Sequence, residues 1–213
     1  MLRATPDSPR MFQRDWVDFF SRTHWAVVPI LFLPGAVFPF VHGLRSAHLG
    51  IAGSVVALLT GVLAWSLSEY WLHRSFFHWQ PGGVWGERVH FWVHGVHHLW
   101  PNDRFRLVMP PAVGIFLYLL CLGLFHCLLG PKWSWPFFSG YVFGYVFYDV
   151  THYYLHHGKP RSGYWRRLRR HHMLHHFKDD RSRFGVSNYY WDRVFGSTGF
   201  RLSKPRSTNA AEI

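Results

Sequence analysis

YDVTHYYLHHGKPRSGYWRRLRRHHMLHHF, residues 148–177, carries seven histidines: His152, His156, His157, His171, His172, His175 and His176. An earlier stretch, residues 69–98, answers it with His73, His78, His90, His94, His97 and His98. Together they hold 13 of the chain's 17 histidines. Apolar runs lie just before the first stretch, between the two, and leading into the second. Where those runs begin and end decides the fold, because they decide where the histidines gather.

The apolar runs cover about residues 25–41, 50–72, 108–129 and 133–155. A helix needs ~20 apolar residues to cross a ~30 Å hydrocarbon layer. The last three runs reach that length. The first is shorter and carries Pro29, Pro34 and Pro39, which predicts a kinked or re-entrant helix. A mean hydropathy of -0.04 averages these runs with the polar, His- and Arg-rich ones. The expected fold is therefore all-α and integral to the membrane. Four transmembrane helices carry a cytosolic helical cap, residues 73–107 and 156–200, that holds a histidine-rich dimetal site. The membrane domain spans 24–205. A leader, 1–23, is either a short helix on the membrane surface or a packed segment, and 206–213 form a tail.

Charge placement supports this topology. The chain carries 23 Lys and Arg against 11 Asp and Glu, a formal net charge of +12. With four crossings, 21 of the 23 basic residues fall on one face and only Arg45 and Lys132 on the other. The positive-inside rule puts the rich face, and both termini, in the cytosol. That asymmetry accounts for the basic composition without nucleic acid. The membrane would be the inner membrane of a bacterium or the endoplasmic reticulum of a eukaryote. The N-terminus lacks the apolar core of a signal peptide, so the first apolar run is expected to stay as an anchor. Cys121 and Cys127 sit inside an apolar run, without the spacing of a disulfide framework or a metal motif.

Imidazole is the commonest protein metal ligand, and spacing decides whether it can chelate. His94, His97 and His98 stand at i, i+3 and i+4, on one helical face. His172, His175 and His176 repeat that pattern, and His152 and His156 stand at i and i+4. His73 and His78 are five apart and need a helix end or a bulge to align. These ten are the candidate ligands, and two ions at about five rings each would use them all. Ten neutral ligands around two divalent ions leave excess positive charge. Glu69 and Asp149 are placed to offset it or to orient ring nitrogens. There is no H-E-x-x-H motif of a zinc peptidase. Breaking an unactivated C–H bond needs dioxygen and a metal that changes oxidation state, so iron is the expected metal, with zinc as an alternative occupant.

These residues resemble the fatty acid hydroxylase superfamily, which also holds sterol desaturases and carotenoid hydroxylases. Within it the chain looks most like the fatty acid 2-hydroxylases of sphingolipids. The stretches that carry the resemblance are EYWLHRSFFH (69–78), HFWVHGVHH (90–98), RLVMPP (106–111), GYVFYDVTHYYLHHG (144–158) and RRHHMLHHFKDDRSRFGVSNYYWDRVFG (169–196).

The resemblance implies dioxygen-dependent 2-hydroxylation of the acyl chain of a sphingolipid or related lipid. It places His73, His78, His94, His98 and His175 on one metal, and His97, His152, His156, His172 and His176 on the other. Tyr148 would lie near dioxygen or substrate, and Asp149 would be an orienting acceptor. Residues 106–111 would form the junction of cap and membrane, with Gly185, Trp191 and Asp192 shaping the cap. His90, His157 and His171 neighbour ligands without matching ligand positions, and His24, His42, His48 and His126 are scattered. The short leader carries no haem pattern, so electrons are expected from a separate donor protein. The competing readings are a sterol or carotenoid oxidase of the same superfamily and a membrane metal-binding or transport protein.

Overall fold

Helix order follows the apolar runs. The structure is a computed structural model that describes residues 5, 8–46 and 49–199; His48 and the 206–213 tail lie outside the described residues. The helices are α1 (Asp15–Phe20), α2 (Val27–Ser46), α3 (Gly50–Trp71), α4 (Gly83–His90), α5 (Val96–Leu99), α6 (Pro111–His157), α7 (Gly163–Phe177) and α8 (Tyr190–Val194). π-helical turns extend α3 over Leu72–Phe77 and join α4 to α5 over Phe91–Gly95. Among the described residues there is no β-strand, only an isolated bridge between Thr5 and Ser8. Among the described residues, three stretches are long and apolar enough to cross a membrane: Val27–Ser46, Gly50–Phe77 and Pro111–His157. Their outward faces are apolar too, with Ile30, Ile51, Phe116 and Leu128 exposed.

α6 is two helices, 111–129 and 131–157, turned back on each other at Gly130. That glycine has φ 70° and ψ 168°, outside any helix, and Pro131 follows it. In a straight helix Tyr118 and Phe138 would stand ~30 Å apart at 1.5 Å per residue. Their ring centroids are 4.7 Å apart. The hairpin brings its two ends to one level, where the Met109 amide donates to Asp149 Oδ2 at 3.4 Å.

α2 is not re-entrant and runs past the end of its apolar run. It is one 20-residue helix running to Ser46, with Pro34 and Pro39 inside it. Pro29 falls in its first turn, where a missing N–H leaves no bond unmade. The carbonyls freed by the two inner prolines are tolerated because neighbouring helices cover the backbone. Tyr118 Oη, for example, donates to Gly35 O, the carbonyl that Pro39 leaves without a helical partner, at 2.7 Å.

The bundle core joins Val28, Phe32 and Ala36 of α2 to Trp65 of α3 and Phe138, Val142 and Tyr145 of the hairpin. α3 meets the hairpin through glycines. A Cβ at Gly61 would lie 1.9 Å from Phe137 O, and one at Gly140 would lie 1.9 Å from Leu58 O. Small residues allow this close backbone approach between apolar helices. Gly140→Val should therefore lower the thermal midpoint in detergent sharply, with overpacking destabilising by ~1–3 kcal/mol or more. Gly123→Val is the control, because nothing lies within 4 Å of its Cβ position. Equal midpoints for the two variants would refute this packing.

The leader packs onto the segment that leads into α6. Asp18 of α1 accepts from Arg106 Nη2 at 2.8 Å and pairs with Arg22 at 3.1 Å. Arg106 also pairs with Asp103 at 3.1 Å, and Ser8 Oγ donates to Asp103 at 2.8 Å. This buried network turns Arg106 away from solvent and holds the 106–111 segment against α1. Trp16 and Phe20 on the opposite side of α1 stay exposed.

Candidate metal centre

The histidines come from the ends of apolar helices and from α7, which lies across those ends. α3 delivers His73 within its π-helical turn and His78 just after it. With about one extra residue per turn, a π-helix brings i and i+5 onto one face, which resolves the awkward spacing. The second arm of the hairpin delivers His152 and His156. The segment from the second π-turn through α5 brings His94, His97 and His98. α7 brings His172, His175 and His176, its start capped by Ser162 Oγ, which accepts from the Trp165 amide at 3.4 Å.

The rings meet in two groups. One comprises His73, His78, His94, His98 and His175; the other comprises His97, His152, His156, His172 and His176. Within each group one nitrogen per ring lies within 4.8 Å of all the others. Metal–nitrogen bonds of ~2.0–2.1 Å put ligands on opposite sides of an ion ~4.2 Å apart, so a single ion can touch every member of a group. The groups are adjacent: the His98 and His176 rings stack at 4.3 Å.

Hydrogen bonding alone does not satisfy these rings. His73 Nδ1 donates to Phe184 O at 2.6 Å, and His175 Nδ1 donates to Ser182 O at 2.7 Å. Those bonds fix the tautomer and leave each Nε2 a bare lone pair. The His73 Nε2 points at His94 Nε2, 3.1 Å away, and the His175 Nε2 at His78 Nε2, 3.0 Å away. His94 Nε2 also faces His98 Nε2 at 3.0 Å. One proton cannot serve this whole set, whereas one cation can. In the second group His172 Nε2 faces both His156 Nε2 at 2.8 Å and His176 Nε2 at 3.1 Å. His97 Nε2 and both nitrogens of His152 are buried with no hydrogen-bond partner. Buried nitrogens aimed at one another without protons to share are what a metal site presents. The donor set fits two ions, and its all-nitrogen chemistry admits iron or zinc.

Burial keeps these rings neutral. It holds His94, His97 and His172 well below the ordinary imidazole range, and neighbouring imidazoles push the same way. His78 is brought down to about 3 and His98 to about 2, by burial first and then by His175. Between the ordinary value of ~6.5 and those values, the unfolded chain takes protons and the folded chain does not, so stability falls as pH falls. In an acid titration of the metal-loaded protein, metal release and loss of helix should therefore coincide below pH ~6.5. Release with helical content intact would contradict this account.

The orienting groups differ from expectation. Glu69 and Asp149 do not orient rings through their hydrogen bonds. Glu69 Oε1 accepts from the amides of Val186 at 2.8 Å and Ser187 at 2.7 Å, and Glu69 Oε2 accepts from Ser187 Oγ. Asp149 Oδ2 accepts from Tyr145 at 3.1 Å and from Met109. The orienting acceptors are backbone carbonyls of the 182–187 loop, because this loop lies over the rings and its own amides are held elsewhere. Asp192, fully buried, does that holding. It accepts from the amides of Phe184 and Gly185, both at 2.8 Å, from Ser197 Oγ at 2.7 Å and from His171 Nε2 at 2.9 Å. Gly185 must be glycine here, since a Cβ would sit 2.0 Å from Asn188 O. No residue spacing announces a carbonyl ligand-holder; the run of small and polar residues between Asp180 and Tyr189 was the only signal. Tyr148 stands beside the second group, with its ring 5.8 Å from that of His152. His157 and His171 lie outside both groups, as does His90.

The fatty acid hydroxylase family model matches residues 58–197, which include all ten rings. A dihydroceramide fatty acyl 2-hydroxylase of Arabidopsis thaliana is 39% identical over 90% of this chain and 80% of its own length. A ceramide very long chain fatty acid hydroxylase of Saccharomyces cerevisiae is 37% identical over 86% of this chain, and the fatty acid 2-hydroxylase of Homo sapiens is 35% identical over 87%. The chain spans about half the length of those two relatives, 48% and 55%. A solved structure of full-length scs7p, in which only the hydroxylase domain is visible, superposes with a TM-score of 0.83 at 36% identity, covering 89% of this chain and 71% of that one. Matched across its core and both histidine stretches, the chain belongs to the fatty acid hydroxylase family.

Proposed function

We propose that this chain is a membrane lipid hydroxylase that places a hydroxyl on the carbon next to the carbonyl of a fatty acyl chain, in a sphingolipid or related lipid. The observation that carries the reading is the pair of five-imidazole groups at the ends of apolar helices. The relatives act on ceramide, dihydroceramide or fatty acyl groups by name, which favours this over sterol or carotenoid oxidation. Ten rings gathered at one rim also differ from a transporter, whose ligands sit near the bilayer midplane.

α2, α3 and the two arms of the hairpin give four crossings, with the rings and both termini on the Lys- and Arg-rich cytosolic side. The ten histidines hold two ions, and iron is the working metal because it changes oxidation state. Bound iron supplies the activation of dioxygen. One oxygen atom enters the C–H bond and the other leaves as water, consuming two electrons and two protons. A separate donor protein supplies the electrons.

The chain's own residues position and shield. The carbonyls of Phe184 and Ser182 keep His73 and His175 in the tautomer that presents Nε2 to an ion. An apolar cavity of about 60 Å³ lies between the helices, lined by Phe32, Trp65, Met109, Phe138, Val142 and Tyr145. Its upper end is bounded by Met109 and Tyr145, both tied to Asp149, one turn of helix before His152. Pockets for drug-sized ligands run to ~300 Å³ or more, so acyl binding must part the helices further. Tyr148, between this cavity and His152, is the side chain best placed to meet substrate or dioxygen, and Asp149 acts by fixing the cavity's roof.

Lipids from cells expressing the protein should gain one oxygen on acyl chains at C2 by mass spectrometry. His172→Ala should abolish the gain, since His172 is fully buried among four other rings of its group. A gain that survives the substitution would refute the site.

A further inference from the structure

α7 has two faces with different work. One presents His172, His175 and His176 to the metal centre. At 3.6 residues per turn, Arg170 lies ~160° around the helix from His172 and Arg167 ~140° around. Arg166, Arg167 and Arg170 are all exposed, and Lys159 and Arg161 in the preceding turn are exposed too. No acidic residue occurs from His156 to Lys178. Exposed Phe177, 71% accessible, lies on the same side as Arg170.

The orientation of this face follows from the rings. His172, His175 and His176 meet His73, His78, His152 and His156, which stand at the ends of apolar helices. The ring face of α7 therefore looks toward the bilayer, and the arginine face looks away from it. The run of Arg166, Arg167, Arg169 and Arg170 by itself suggests anionic headgroups as a partner; the direction of this face argues against them.

We propose that the outward face of α7, centred on Arg166, Arg167 and Arg170, is the docking surface for an acidic protein that carries one electron at a time. The proposal rests on the hydroxylase reading, which requires two electrons per turnover from outside the chain. A donor seated on this face stands about one helix diameter, ~10–12 Å, from the imidazoles on the other. Each encounter oxidises the donor by one electron and reduces the metal centre by one. Complementary charge steers such encounters and makes them salt-sensitive.

The test uses the full chain in nanodiscs of phosphatidylcholine, with a soluble acidic b-type cytochrome as probe. With the protein loaded with redox-silent zinc, the Kd for the cytochrome should rise at least ~10-fold in Arg166→Glu/Arg167→Glu/Arg170→Glu, and its salt dependence should flatten. With iron, 2-hydroxylation driven by a small uncharged reductant should be the same in variant and wild type. Absence of product from the wild type in that arm would overturn the hydroxylase reading, whatever the cytochrome does. Should the triple variant misfold, neutralising the cytochrome's surface glutamates against wild-type hydroxylase must weaken binding equally. Unchanged cytochrome affinity in either format overturns the proposal. So does a variant that loses only its retention of phosphatidylserine vesicles, which would make the face a headgroup site.

Discussion

His97→Ala should leave the protein holding one ion instead of two. His97 is buried and belongs to the second group, where its ring lies 4.6 Å from that of His152, 4.7 Å from His156 and 4.5 Å from His176. Removing it opens the centre of that group without touching a ring of the first. The other group keeps its five nitrogens and the two carbonyls that orient His73 and His175. Metal analysis of the purified variant should therefore give about half the wild-type content. Loss of a group that merely orients a ligand reduces affinity or activity ~10–100-fold, so loss of a ligand should reduce 2-hydroxylation by ~100-fold or more. Wild-type metal content in this variant would mean that the grouping is wrong. Loss of both ions together would mean that the two sites are one.

Asp192→Ala, a residue that touches no ligand, should be the second most damaging change. Its carboxylate is fully buried and stays ionised: burial works against it, but bonds from His171, Ser197 and Gly185 hold its pKa below the usual carboxylate range. Removing it leaves the Phe184 and Gly185 amides without acceptors inside the protein. Breaking a buried charged network of this kind destabilises by ~3–5 kcal/mol. The loop it releases carries Phe184 O and Ser182 O, the acceptors for His73 Nδ1 and His175 Nδ1. Both of those rings belong to the first group, so metal loss should begin there. Asp192→Asn, which keeps an acceptor for only one of the two amides because they donate to different oxygens, should fall between alanine and wild type. Equal metal affinity in all three proteins would separate the loop from the site.

Much of this is legible in the chain because long apolar helices leave unambiguous runs. The apolar segments, the hairpin turn near Gly130 and the gathering of ten histidines follow from run length and spacing. Spacing also exposed the His73–His78 problem that the π-turn solves. It could not divide the ligands. His94, His97 and His98 share one helical face, yet His94 and His98 serve one group while His97 serves the other. The i, i+4 partners stay together and the intervening ring crosses over, as it does for His175 between His172 and His176. That division depends on where the neighbouring helices stand, which no local pattern records. The 182–187 carbonyls were invisible for a related reason: every residue has one, and only the fold selects which of them meet a ring. Glu69 and Asp149 stand within about a turn of ligand histidines in sequence, but their hydrogen bonds go to backbone amides, Ser187 and Tyr145. That α2 runs on as one helix to Ser46 past Pro34 and Pro39 is not written in its own run, because the compensation comes from other helices.

The ten imidazoles should form two separate cages of five, each holding one ion. An anomalous difference map from crystals of the iron-loaded protein should show two peaks per chain, one ~2.0–2.2 Å from nitrogens of His73, His78, His94, His98 and His175, the other at the same distance from nitrogens of His97, His152, His156, His172 and His176. A single peak, or two peaks bound by rings drawn from both groups, would contradict it.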